Sequence, residues 1–304
     1  MGSLYLYSAV VASSALFDAP SSPSSLTLFP DFAAILQNSL GANADGTLGS
    51  ESESAIDAVL FLGTFAWANS PDVDGVDDEV FHNTLQRLSL ISANTPSPAL
   101  RYQAHLLTSA ILHLNPADHV RLAFIKDTLE HCPYENLKAS AIGWLKDEIL
   151  FAQGSPGSPI KAQYSDRSDD TIFATPAVLT SLAPNILLKP SSIIKEGQGA
   201  SHSDAFQIFL QHQSFFLAVL NLLYLVISST PIFAALQVGA FVKDHDVTGY
   251  CDSLRAASLL FQGRITSDAG EEVGRDGESG LAELQLLDQT IERVMEAMGR
   301  AGVP

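Results

Sequence analysis

The chain has 304 residues, of which 46% are hydrophobic and 16% are charged, so it can bury a substantial core. Its 34 acidic residues outnumber its 16 basic residues and give a net charge of −18, which disfavours binding to nucleic acid or to anionic membranes. A basic protein partner remains compatible with this charge. The two cysteines, Cys132 and Cys251, form no disulfide framework and are typical of a reducing compartment.

The N-terminal segment, residues 1–19, is apolar but lacks the basic region of a secretory signal. Leu6 stands where an N-myristoylation motif requires Ser or Thr. We therefore expect a helix or a poorly ordered leader in this segment. We expect the protein in the cytoplasm, with the nucleus as a further location.

The first third of the chain is acidic, since residues 1–98 contain eleven acidic residues and one basic residue, Arg87. Residues 69–79 resemble a calcium loop only weakly, because an EF-hand counted from Asp72 would place Asn83 where the closing Glu belongs. We interpret this segment as a solvated loop whose acids favour the N-terminus of the next helix. Helical spacing predicts two apolar stripes here. They consist of Ile56, Val59, Leu60, Leu62, Gly63 and Trp67, and of Val80, Phe81, Leu85, Leu88 and Ile91.

The most regular pattern lies between residues 98 and 152. Pro98, Pro116 and Pro133 stand 18 and 17 residues apart, each where a helix should begin, because proline's fixed φ suits the first turn. Asn115 adds a capping side chain before the second helix. Short connections make neighbouring helices antiparallel, and two helices in about 35 residues match the unit of an α-solenoid. We therefore predict an all-α fold of the HEAT/armadillo-like helical repeat type.

Composition divides the chain into three predicted parts. Residues 1–152 are expected to hold N-terminal helical repeats with acidic loops. Residues 153–170 contain Gly-Ser and Ser-Pro pairs without an apolar period, which predicts a flexible linker. Residues 171–304 are expected to hold further helical repeats, with a buried apolar hairpin and a terminal amphipathic helix.

No Asp, Glu, Lys or Arg occurs in the 38 residues from 205 to 242. An apolar run of about 18 residues or more is a candidate transmembrane helix. The segment from Ser228 to Pro231 splits this run, because it combines a helix stop with a capped helix start. The flanks carry no cluster of Lys and Arg that would orient a span. We predict a buried helical hairpin, and a membrane anchor formed by residues 205–242 is the alternative.

Two further helices are predicted after residue 244. The first carries Tyr250, Leu254, Ala257, Leu260 and Phe261. The second carries Leu284, Leu287, Ile291, Val294 and Met298 at spacings of three and four, and it is expected to end at Gly299.

The sequence contains no phosphate-binding glycine loop, nucleophile elbow or zinc-protease motif, so we predict no catalytic residue, metal or cofactor. His105, His113, His119 and His131 cluster in sequence, but their spacings do not fit a metal site. Cys132 precedes a predicted helix N-terminus, which can lower a thiol pKa, and it is a candidate redox-sensitive residue. The alternative is a small capping residue before Pro133.

The helix after Pro133 carries the candidate partner-binding residues. Leu137, Ala141, Ile142, Leu145 and Ile149 form its predicted buried stripe. Lys146, Asp147 and Glu148 are expected on the exposed side, and the two carboxylates diverge by about 100° and cannot form a converging acid/base pair. Trp144 lies on or beside the stripe, either as a core residue or as an anchor for a partner.

Residues 99–150 resemble the YAP-binding/Alf4/glomulin family, especially its fungal members. The motifs that carry the resemblance are the Arg-Leu-Ala-Phe-Ile-Lys-Asp-Thr-Leu-Glu helix, Cys-Pro-Tyr-Glu-Asn-Leu-Lys and Gly-Trp-Leu-Lys-Asp-Glu-Ile. The resemblance implies an α-helical, HEAT-like scaffold without enzymatic activity. Fungal relatives are implicated in the oxidative-stress response through an AP-1-like transcription factor, and one branch in kinetochore function.

Plant and animal relatives act on cullin-RING ubiquitin ligases, glomulin by masking the RING subunit. The sequence is therefore interpreted as a protein-binding adaptor with a bZIP stress transcription factor as partner. A cullin-RING component is the alternative partner.

Overall fold

A computed structural model describes residues 2–17, 26–40, 47–115, 117–154, 171–192, 202–267 and 275–303. Within these ranges the secondary structure consists of fourteen α-helices and two short helical segments, Leu28–Phe32 and Ile172–Ala174, with no strand. The all-α prediction is confirmed. The helices pack against one another, while their division into HEAT-like repeats stays a prediction.

The chain forms two compact units, Met1–Phe124 (unit 1) and Ile125–Pro304 (unit 2). The boundary falls within one helix, Asp118–His131. The predicted boundary after residue 152 stays a prediction, since residues 155–170 of the predicted linker lie outside the described ranges.

Unit 1 holds five complete helices and the start of a sixth. They are α1 (Gly2–Phe17), α2 (Ala33–Ser39), α3 (Glu53–Asn69), α4 (Asp78–Asn94), α5 (Pro98–Leu114) and α6 (Asp118–His131). The helix start predicted at Pro98 is confirmed, and the acidic loop precedes the N-terminus of α4 as expected. Asp77 caps α4 by accepting hydrogen bonds from the backbone N–H groups of Glu79 and Val80, and Pro98 opens α5. Pro116 lies outside the described residues.

The core of unit 1 forms where α3 packs against α1 and α5, and α5 against α4. Gly63 on α3 permits a close approach: a β-carbon there would lie 2.5 Å from the ring of Phe32 and 2.7 Å from a methyl group of Leu107. The predicted stripe of α4 is correct except for Val80, which is 42% exposed because it lies in the first turn while Phe81 faces the core.

Arg121 on α6 is a buried charge that the sequence pattern did not predict. Its guanidinium donates to the backbone carbonyl of Asn115 and pairs with the carboxylate of Asp118. The side chain of Asn115 accepts a hydrogen bond from the backbone N–H of Ala117 at 2.9 Å, as expected for a residue that precedes a helix.

Unit 2 contains the remaining helices. They are α7 (Glu135–Ala152), α8 (Pro176–Ile186), α9 (His202–Gln211), α10 (Gln213–Ser228), α11 (Thr230–Ala235), α12 (Val238–Asp244), α13 (Val247–Ser267) and α14 (Arg275–Ala301). Helix α10 packs against α7 and α14, and α14 also packs against α13. The uncharged run therefore supplies the central helix of the unit.

The predicted break between Ser228 and Pro231 is confirmed, because α10 ends at Ser228 and α11 begins at Thr230 with Pro231 in its first turn. The run from residue 205 to residue 242 is nevertheless divided among four helices, α9 to α12, instead of the two of the predicted hairpin. The buried residues of α10 are mainly Phe, Leu, Val and Ile, as predicted for a core helix. No single helix among the described residues is long and apolar enough to cross a bilayer. Residues Asp204–Gln211 and Gln213–Ser228 reach that length and composition only as a pair, bent by 44°.

The predicted helix that carries Tyr250, Leu254 and Phe261 is confirmed as α13, where these three side chains are buried and Leu260 is 50% exposed. The last helix differs from prediction at its end. The stripe of α14 is buried as predicted, but the helix continues past Gly299 to Ala301. Gly302 adopts a left-handed φ of 67°, and the N–H of Val303 donates to the carbonyl of Met298 at 3.1 Å. This hydrogen bond closes the helix C-terminus in the way a glycine after the last turn allows.

Candidate functional site

The joint between α6 and α7 lies at Cys132 and Pro133. The backbone N–H of Cys132 donates to the carbonyl of Thr128 at 3.2 Å, which extends the last turn of α6. The N-cap of α7 is Tyr134, and the helix begins at Glu135. The interpretation of Cys132 as the capping residue is therefore wrong, because Pro133 and Tyr134 separate it from the helix.

The thiol of Cys132 is partly buried, and its Sγ lies 3.8 Å from the backbone carbonyl of Tyr134. Burial raises the pKa of this thiol above its ordinary value, which outweighs the hydrogen bond to Tyr134. The neighbouring His131 is well exposed and faces Asp127, with 3.1 Å between Nδ1 and the carboxylate. These surroundings favour the protonated thiol, so they do not support enhanced reactivity. The redox role of Cys132 stays a prediction.

Trp144 is 2% exposed and lies among the buried residues of α7. The predicted stripe is buried along its whole length, from Leu137 to Ile149. Of the two roles that the sequence left open for Trp144, the structure supports the core residue, because a partner cannot contact a side chain that is covered on all sides.

The three charged residues after Trp144 do not share one environment. The side chains of Lys146 and Asp147 are 44% and 41% exposed, with 3.8 Å between the ammonium and the carboxylate. Glu148 is 1% exposed, so its predicted place on the exposed side is wrong. It lies four residues after Trp144 and three after Leu145, and this spacing puts it on their side of the helix. Lys146 and Asp147 remain accessible to a partner, and their binding role stays a prediction.

A polar cluster at the start of α7 was not predicted. The Glu135 carboxylate lies 2.9 Å from the Lys138 ammonium and 3.4 Å from Nε2 of His212, and all three side chains are mostly buried. His212 separates α9 from α10, and its Nδ1 lies 2.8 Å from the carbonyl of Ile208. The cluster ties the joint between these two helices to the first turn of α7. Sequence spacing places Glu135 and Lys138 three residues apart on one helix face, but it could not reveal the contact with His212, which lies far away in the chain.

The histidines that cluster in sequence belong to both units. His113 is buried in unit 1, and His131 is exposed on unit 2. Across the described residues, no group of three or more His, Cys, Asp or Glu side chains is arranged to hold a metal ion. The exposed groups on α7 can offer hydrogen bonds and ion pairs to a partner.

A cluster of exposed acidic residues lies in unit 1, in the loop before α4 and in the first turn of that helix. The exposed acidic residues there are Asp72, Asp74, Asp77, Asp78 and Glu79. Asp77 has a structural role as the helix cap, and Asp72 accepts a hydrogen bond from the backbone N–H of Asp74 at 2.9 Å. Asp74, Asp78 and Glu79 therefore form an acidic surface open to a basic partner.

The sequence matches a family described as the uncharacterised protein family YAP/Alf4/glomulin over residues 1–283. No curated protein and no solved structure matches it significantly. Because the match covers nearly the whole chain, including both units, this protein belongs to the YAP/Alf4/glomulin family.

Proposed function

We propose that this protein is a non-enzymatic, protein-binding adaptor of the oxidative-stress response that binds an AP-1-like bZIP transcription factor. The observation that carries the proposal is the family match over residues 1–283. It suggests a protein-binding role, and the partner follows from the resemblance to fungal members. The adaptor would act in the cytoplasm and also in the nucleus, where such a factor works.

Charge supports a basic partner. The net charge of −18 attracts basic segments over a distance and speeds their encounter with the chain. The DNA-contacting region of a bZIP factor is a helix rich in Lys and Arg. The acidic surface of Asp74, Asp78 and Glu79 offers three exposed carboxylates to such a helix.

The test is affinity purification of the tagged full chain from oxidised and unoxidised cells, with quantitative mass spectrometry of what it captures. We expect a bZIP factor to be enriched, and enrichment to change on oxidation. A triple variant, Asp74→Asn with Asp78→Asn and Glu79→Gln, should weaken capture while leaving the Asp77 cap intact.

A matched control neutralises three exposed acids of unit 2, Asp244→Asn, Asp252→Asn and Glu292→Gln. Both triple variants change the net charge by the same amount, so long-range attraction falls equally. Equal loss of capture by both would argue against the acidic surface as the contact. Capture of no transcription factor by the wild-type chain in either condition would refute the stress role.

The second candidate function is regulation of a cullin-RING ubiquitin ligase. Its support is the family description itself, which names glomulin beside YAP. The same purification separates the two candidates, because recovery of a RING subunit without a bZIP factor would favour this one.

A third candidate function, of a different class, is that of a membrane-anchored helical protein held by residues 205–242. It is supported only by the bent pair Asp204–Gln211 and Gln213–Ser228. Carbonate extraction of membranes is the discriminating measurement: a protein released by carbonate is not inserted in the bilayer.

A further inference from the structure

Unit 2 contains a groove between the C-terminal end of α10, the start of α11 and the last turns of α14. Its volume is about 470 Å³, within the range of pockets that take small ligands or a few side chains. The aromatic side chains of Tyr224 and Phe233 line it, together with the buried Ala297. Ser228 and Thr230 add hydroxyl groups. The groove thus combines apolar walls with hydrogen-bonding groups.

Arg300 brings a positive charge to this groove. It is exposed and, among the residues that the structure describes, it forms no salt bridge. Glu296 lies one turn earlier on the same helix and does not pair with it. In a chain with 34 acidic and 16 basic residues, an arginine left without a carboxylate in a groove is available to a ligand.

Arg293 holds one wall of the groove in place. Its guanidinium lies 4.6 Å from the centre of the Tyr224 ring, in a cation–π contact. The pKa of Tyr224 is lowered, mainly by a hydrogen bond with Arg293 and secondly by one with Ser228. These contacts orient the phenol and place a second positive charge beside the groove. The side of the groove formed by Tyr224 is therefore held in a fixed orientation and carries positive charge.

A purely structural role for Arg300 would be to stabilise the C-terminus of α14, where a basic residue complements the helix dipole. That role needs neither the aromatic walls nor the hydroxyl groups. The net charge of −18 sets a second constraint, because a strongly acidic partner would be repelled. The groove therefore suits a ligand with one negative charge and an apolar part.

We infer that this groove binds a partner protein segment in which a single carboxylate neighbours an aromatic side chain. The planar fork of Arg300 would hold the carboxylate, as guanidinium groups do. The aromatic side chain would pack between Tyr224 and Phe233. The inference rests on the proposed protein-binding function and assigns it a second contact, in unit 2.

The test uses the full chain and three capped dipeptides, N-acetyl-Phe-Asp amide, N-acetyl-Phe-Asn amide and N-acetyl-Phe-phosphoserine amide. Saturation-transfer NMR measures their dissociation constants, expected in the millimolar range for so small a contact. We expect the Asp peptide to bind about tenfold tighter than the Asn peptide, since one charge-assisted pair distinguishes them.

Variants assign the binding to the groove. Arg300→Gln should abolish the difference between the Asp and Asn peptides, and Phe233→Ala should weaken both. Arg255→Gln on α13, an arginine outside the groove, is the matched control and should behave like the wild type. Circular dichroism of each variant confirms that it is folded.

Three results would overturn the inference: no peptide binds in the millimolar range, the Asp and Asn peptides bind equally, or the phosphoserine peptide binds best. The last result would make the groove a phosphate site. A chain that still captures its transcription factor while no peptide binds would disprove the groove and leave the proposed function standing. Peptide binding without capture of any partner would support the groove and disprove the proposed function.

Discussion

Replacing Trp144 with Ala tests whether this residue is part of the core or an anchor for a partner. The side chain is 2% exposed, so the substitution leaves a cavity inside unit 2. An aromatic residue of this kind buries about 150–250 Å², which corresponds to roughly 4–6 kcal/mol as an upper bound at about 25 cal/mol per Å². Measured losses for Trp→Ala in cores are about 3–5 kcal/mol. We therefore expect the free energy of unfolding to fall by about 3–5 kcal/mol.

Urea denaturation followed by far-ultraviolet circular dichroism is the suitable assay. Fluorescence would mislead, because the substitution removes one of only two tryptophans. Trp144→Phe should lose less, about 1–2 kcal/mol, since a ring still fills most of the space. Lys146→Ala, two residues further along the same helix and half exposed, is the control and should change stability by less than about 0.5 kcal/mol.

A free energy of unfolding for Trp144→Ala within about 0.5 kcal/mol of the wild-type value would show that Trp144 is not part of the core. If that variant also failed to capture the partner, Trp144 would have to be an interface residue that the structure shows covered. A destabilised variant that captures the partner when kept folded at low temperature would support the core role.

Three further predictions concern packing and thiol chemistry. Gly63→Ala should destabilise unit 1 by about 1–3 kcal/mol, because the added methyl group meets two enclosing side chains. At Gly143 an added β-carbon would have no neighbour within 4 Å, so Gly143→Ala should raise the free energy of unfolding by about 0.5–1 kcal/mol through helix propensity. Equal changes for the two variants in urea denaturation would contradict the close packing around Gly63. Native Cys132 should react with iodoacetamide at neutral pH more slowly than a free peptide thiol, because burial raises its pKa; a faster reaction would make it a redox sensor. Burial raises the pKa of Cys251 from 9.0 to about 12. The stability that the buried neutral thiol contributes is therefore complete below pH 9.0, and it is lost as the pH rises toward 12 because the unfolded chain ionises first. Stability should therefore fall more steeply over this interval in the wild type than in Cys251→Ala, and parallel curves would contradict the assignment.

Sequence periodicity predicted most of the helices because their apolar stripes face a packed neighbour. The stripes of α7 and α14 are buried as expected, and Pro98 and Asp77 mark helix starts through local chemistry that needs no partner. Periodicity failed where a residue's surroundings depend on a second element. Val80 is apolar but exposed, and Glu148 is charged but buried.

The candidate sites depended on tertiary contacts that the sequence does not display. The cluster of Glu135, Lys138 and His212 joins the start of α7 to the joint between α9 and α10. The groove forms where the ends of α10 and α14 meet, and it brings Arg300 to Tyr224. The contacts between helices that complete each site have no characteristic spacing in the chain. The resemblance to the family was visible in residues 99–150, and the match extends over residues 1–283.

The most direct test of the adaptor function is a binding measurement with purified components. Biolayer interferometry of the immobilised full chain against the purified bZIP factor, at two salt concentrations, gives affinity and association rate. We expect reversible binding with an association rate that falls as salt rises, because opposite charges guide the encounter. We also expect a slower association for the Asp74, Asp78 and Glu79 triple variant than for the unit 2 control variant. Absence of binding between the two purified proteins would disprove the adaptor function proposed for this chain.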